Sequence, residues 1–109
     1  MTVFVDLPAV RPGRLSAALM ADQMSDELRD FRTLLRGARV EPLPDGIRLV
    51  LRLDVRSLAR LADLVRSEAN ERPFWSFRLL ADLPEAWLEV TGVGRAGDLA
   101  RAVFGELGT

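Results

Sequence analysis

The stretch "FWSFRLLADLPEAWLEVT", residues 74–91, decides the fold. Two alternating runs, "FWSFRLL" at 74–80 and "AWLEVT" at 86–91, flank "ADLPE", which has the composition of a turn, so the stretch reads as a β-hairpin. Side-chain parity then sets its register. With Leu79 opposite Leu88, Phe77 meets Val90 on the inner face, while Leu80 meets Trp87, Arg78 meets Glu89 and Ser76 meets Thr91 on the outer face. A slip of one residue would mix apolar and charged side chains on both sides. The hairpin therefore predicts an antiparallel sheet with one dry and one wet face.

Upstream of it, Ile47, Leu49, Leu51, Leu53 and Val55 alternate with Arg48, Val50, Arg52 and Asp54, which predicts a second half-buried strand. A helix follows from about Ser57, a residue suited to its N-cap, with Leu58, Leu61, Ala62, Val65 and Ala69 on one stripe. It should end near Asn70, before Pro73. Downstream, residues 95–107 place Leu99, Ala102, Val103 and Leu107 on a stripe, predicting a last helix that stops at Gly108.

The N-terminal half is less regular. "TVFVDL" at 2–7 alternates and reads as a short strand ending at Pro8. From about Leu15 to Arg36, Ala17, Ala21, Met24, Leu28, Phe31 and Leu35 recur at three- and four-residue steps, a helical stripe that Gly37 closes. Ser25, followed by Asp26 and Glu27, is also a plausible cap, so this segment is one helix or two. "VEPLPDG" at 40–46, with two prolines, reads as a loop.

The resulting order is β-α-β-α-β-β-α in one domain spanning residues 1–109. It predicts an α+β fold, an antiparallel sheet, ferredoxin-like or permuted, with helices packed on it. From 47 to 107 it resembles a ferredoxin-like sandwich without its last strand, which residues 2–7 could supply. Within it, "RLDVRSLARLADLV" is similar in outline, over about fourteen residues, to the strand-to-helix entry of the ACT regulatory domains, with Arg56 and Ser57 where Pro-Gly is usual there. That resemblance implies sensing of a small ligand.

Composition restricts the chemistry. The fifteen cations are all arginine against sixteen carboxylates, as the codons of a GC-rich genome would favour, and the net charge of −1 offers no global attraction to nucleic acid or to an anionic membrane. Lysine, histidine, cysteine and tyrosine are absent, which removes imine-forming amines, imidazole bases, thiolates, soft metal ligands and phenolic acids. Ser16, Ser25, Ser57, Ser67 and Ser76 have no imidazole to activate them. We therefore expect no catalytic residues, no cofactor and no metal. No signal segment or membrane span is read from the chain, so the cytoplasm is the expected location.

Four features invite a functional reading. In "TGVGRAGDL", residues 91–99, Gly92, Gly94 and Gly97 have G-x-G-x-x-G spacing, but only twelve residues follow Gly97, so the second parallel strand of a dinucleotide fold has no room. The glycines read as a tight strand-to-helix turn, with an anion at the amides of Gly94, Arg95 and Gly97 as the weaker alternative. Asp22, Asp26 and Asp30 share a helix face but have no converging second ligand set, so a solvated face is expected rather than a cation site. Arg48, Arg52 and Arg78 should lie on the outer sheet face, neutralised by Glu89 and Asp54, which argues against nucleic acid.

The fourth is apolar. Leu80 and Trp87 together on the wet face, with Val50 near and Arg78 beside them, form a corner that the first helix or another chain must cover. Tryptophan ringed by arginine is the chemistry of an interface centre. The expected function is a non-catalytic association module binding itself, as a homodimer, or another protein through Trp87, Leu80, Arg78 and Val50, with neither nucleic acid nor membrane as partner. The alternative is a regulatory domain of ACT-like type that senses a small ligand held between subunits or at the glycine turn.

Overall fold

In the computed structural model, which describes the backbone of residues 2–7 and all atoms of 29–108, the central hairpin is β4 (Ser76–Asp82) and β5 (Glu85–Thr91). Its register pairs Leu79 with Leu88, Phe77 with Val90, Arg78 with Glu89, Leu80 with Trp87 and Ser76 with Thr91, as side-chain parity requires. Around it lie β1 (Thr2–Leu7), the described last turns of helix α1 over 29–35, β2 (Arg39–Leu43), β3 (Gly46–Arg52), α2 (Val55–Glu71) and α3 (Arg95–Gly108). The five strands form one antiparallel sheet in the order β1-β4-β5-β3-β2, an α+β fold.

The order contains one strand more than the sequence reading. Residues 40–46, read there as a loop, are most of β2 and its turn into β3, with Val40 opposite Leu49 and Pro42 opposite Ile47. The two prolines misled because Pro42 stands on a sheet edge, where a missing N–H costs little, and Pro44 stands in the turn. β3 and β4 both run antiparallel to β5, so they run parallel to each other with β5 between them, a split β-α-β arrangement. β1 does not fill the position beside β3, which β2 takes; β1 pairs with β4 at the opposite edge.

Every second residue of the three central strands faces the helices. Ile47, Leu49 and Leu51, Phe77, Leu79 and Ala81, and Ala86, Leu88 and Val90 are all buried, each large one contributing about 1.5–3 kcal/mol of burial. Leu58, Leu61, Ala62 and Val65 of α2 and Ala96, Ala100, Phe104 and Leu107 of α3 close the core over that face. In α3 the buried stripe is turned from the predicted one. Ala102 is exposed and Leu99 and Val103 sit at the core edge, because Phe104 is drawn into an aromatic cluster with Phe31, Trp75 and Phe77, at centroid distances of 5.6, 5.3 and 6.1 Å.

The end of α1 agrees with its sequence. Phe31 and Leu35 are buried, and Gly37, at φ 81°, ends the helix in the left-handed conformation that glycine tolerates. Ala17, Ala21, Met24 and Leu28 of the predicted stripe lie outside the described residues, as does the choice between one helix and two at Ser25. At α2 the cap is Asp54 rather than Ser57: the Asp54 carboxylate accepts the Ser57 amide at 2.7 Å. β3 consequently ends at Arg52, and Val55, predicted as the last inner residue of that strand, is 60% exposed in the first turn of the helix.

Candidate functional site

Three rows of side chains cross the sheet face opposite the helices, each built from register partners on neighbouring strands. The middle row is Arg39–Val50–Trp87–Leu80, continued at backbone level by Phe4. Trp87 and Val50 are half-buried, and Leu80 is 36% exposed. An indole and two aliphatic side chains thus form an apolar strip on a face that no described helix covers. The described part of α1 packs into the core through Phe31 and Leu35; the rest of the predicted first helix lies outside the described residues.

The row beside it is Glu41–Arg48–Glu89–Arg78, alternating in sign from strand to strand. Arg48 is 2.7 Å from Glu89 and 3.4 Å from Glu41, while Arg78 reaches Glu89 at 3.9 Å. The hydrogen bond to Glu89 and its charge, followed by Glu41, raise the Arg48 pKa further above its ordinary value, so this cation is permanent. On the other flank lie Arg52, Glu85 and Asp82. Asp54, expected to share this face, is occupied at the helix cap. Arg48, Arg52 and Arg78 thus each stand opposite a carboxylate on a neighbouring strand.

A groove of about 290 Å³ runs along the strip between Trp87, Leu80, Arg48, Arg78 and Glu89. A second, of about 360 Å³, continues past Arg48 and Arg78 to Leu43, Ser76 and Thr91. Both are open to solvent on the same face. Another groove, of about 620 Å³, lies elsewhere, among Arg29, Arg32, Arg36 and the end of α3, and is lined mainly by polar side chains.

The glycine turn is a packing device. A Cβ on Gly97 would stand 2.6 Å from the Asp45 carbonyl and 2.8 Å from that of Gly92, so α3 lies directly on the β2–β3 turn. Gly94 has φ 57°, and the Gly92 amide donates to Asp45 O at 2.9 Å. The amides of Ala96, Gly97 and Asp98 donate to the carbonyls of Val93 and Gly94, so those N–H groups serve the turn itself, and the Arg95 residue beside them is exposed. Of the three aspartates on the α1 face, Asp22 and Asp26 lie outside the described residues. Asp30 pairs with Arg60 at 3.2 Å.

Two further features are buried. Trp75 is fully buried and its indole N–H donates to Ala96 O at 2.8 Å, which ties the entry of β4 to the first turn of α3. Its parity with Phe77 and Leu79 in the run 74–80 was the available signal. Arg72 and Glu68 form a buried ion pair at 2.9 Å, with Glu71 3.3 Å away. Their i,i+4 spacing, carboxylate first, is common on solvated helices too, so spacing could not show burial.

Among the described residues no helix is long and apolar enough to cross a membrane. Comparison of the chain with protein-family models, with curated proteins and with solved structures finds no match.

Proposed function

We propose that the protein is a non-catalytic association module that binds a second copy of itself through the open face of its sheet. The observation that supports this is the strip Val50–Trp87–Leu80, set between the ion-paired row Glu41–Arg48–Glu89–Arg78 on one side and the register neighbours Arg52, Glu85 and Asp82 on the other. Interface centres have this composition: a large aromatic side chain, aliphatic neighbours and arginine, with charges held at the rim. Edge-to-edge pairing is less suited to the β2 side, because exposed Pro42 breaks the row of donors that a further strand would need.

Native mass spectrometry of the purified chain tests the proposal. A bare dimer that Trp87→Asp converts to a folded monomer, weakening association by at least about thirtyfold, is the expected result. A bare monomer at every concentration would overturn it. A monomer carrying added mass would favour the ligand-sensing alternative.

A further inference from the structure

We infer that two copies stack open face on open face about a two-fold axis that runs along the strands and lies over the gap between β3 and β5. The inference rests on the homodimer proposed above and adds its geometry. What singles out this axis is the pattern of charge across the three rows. Stacked sheets keep their strands roughly aligned, so a two-fold axis between the faces runs either along the strands or across them.

An axis across the strands, through the apolar row, would set Arg48 against Arg52 of the other copy and Glu89 against Glu85, like against like. Moving it onto the charged row would place every charge against its own copy. Between the two rows, Trp87 would meet Glu89. An axis along the strands preserves the rows and leaves only its lateral position to choose.

Over β5 it would oppose Glu89 to Glu89 and Arg48 to Arg78, and over β3 it would oppose Arg48 to Arg48. Over the gap between β4 and β5 it matches Arg78 with Glu89 but drives Asp82 against Glu85. Over the gap between β3 and β5 every opposition is favourable. Arg48 then meets Glu89 of the second copy, Arg78 meets Glu41 and Arg52 meets Glu85, while Trp87 lies over Val50 and Leu80 lies under the stem of Arg39. An alternating row is complementary to its own image only after a shift of one strand, and like charges brought together across an interface are strongly disfavoured.

A charge swap between chains tests this separately from the intramolecular ion pairs. Arg48→Glu and Glu89→Arg each place like charges across the interface in their own homodimers, but restore both contacts when the two variants pair with each other. Each variant keeps its internal defect in either dimer, so any preference for the mixed dimer measures the contact between copies. The two variants differ in mass, and native mass spectrometry of an equimolar mixture counts the three dimers.

We expect mixed dimers to make up about four-fifths or more of the total. The random share of about half, or no dimer at all from folded variants, overturns this axis. The neighbouring axis between β4 and β5 predicts that random share, since Arg48 has no part in its central contact. If either variant fails to fold by circular dichroism, the same swap at the exposed pair Arg52→Glu and Glu85→Arg reads the same axis. A wild-type chain that is monomeric sinks the homodimer and this geometry together, whereas a wild-type dimer abolished by Trp87→Asp but mixing at random sinks the geometry alone.

Discussion

Single residues carry unequal weight here, and Asp54 shows how local the cause can be. Its carboxylate accepts the Ser57 amide, and that hydrogen bond holds its pKa below the ordinary 3.8. The folded state therefore binds fewer protons at this site than the unfolded state, so the cap's contribution is complete above pH 3.8 and is lost as pH falls through the lowered value. Thermal melts should show Asp54→Ala less stable than the native chain at pH 7, with the gap closing in acid, and Asp54→Asn, which still accepts the amide, between them. Trp75 acts on a larger scale. Trp75→Ala removes a fully buried indole and leaves the Ala96 carbonyl without its donor, and urea unfolding should show a loss of about 3–5 kcal/mol. Parity places Phe77, Leu79, Trp87 and Leu88 on their faces from the sequence alone. Parity does not say that Trp75 reaches past the end of β4 to α3.

At the scale of elements, the strands and helices with strict periodicity were legible: the pairing of 76–80 with 87–91 in the hairpin, the strand through Ile47, Leu49 and Leu51, and α2. Ala81, Asp82 and Glu85, which read as part of the turn, instead extend the two strands and leave only Leu83 and Pro84 between them. What escaped was β2, whose short run with Pro42 carries too little alternation to outweigh a proline. The phase of α3 also escaped, because Leu99, Ala102 and Val103 continue to Leu107 in as good a stripe as Ala96, Ala100 and Phe104 do. Only the ring contacts of Phe104 favour the second. The contact between α3 and the β2–β3 turn gives a direct test. Gly97→Ala would place a methyl group 2.6 Å from the Asp45 carbonyl, a backbone atom that cannot turn aside, and should cost about 1–3 kcal/mol in chemical denaturation. An equal stability for the variant would mean that the turn and the helix do not lie so close.

At the scale of the whole molecule, the described residues close one face of the sheet with helices and place Trp87 on the other, beside the ion-paired row Glu41–Arg48–Glu89–Arg78. If that face is the contact between copies, the Trp87 environment depends on concentration while that of Trp75 does not. In a Trp75→Phe chain the remaining emission should shift to the red on dilution and back on concentration, and an emission maximum constant with concentration would count against the dimer. The amino-acid sequence by itself determined the antiparallel α+β class, the inner and outer residues of the central strands, and the absence of histidine, cysteine, lysine and tyrosine, because a period of two and a composition are local quantities. Only the tertiary structure decided that β2 and not β1 flanks β3, that Asp54 caps α2, and that Glu41, Arg48, Glu89 and Arg78 line up as one alternating row. Each of those depends on which distant segments lie side by side, and that is fixed by how the buried faces fill one common core rather than by any single stretch of chain.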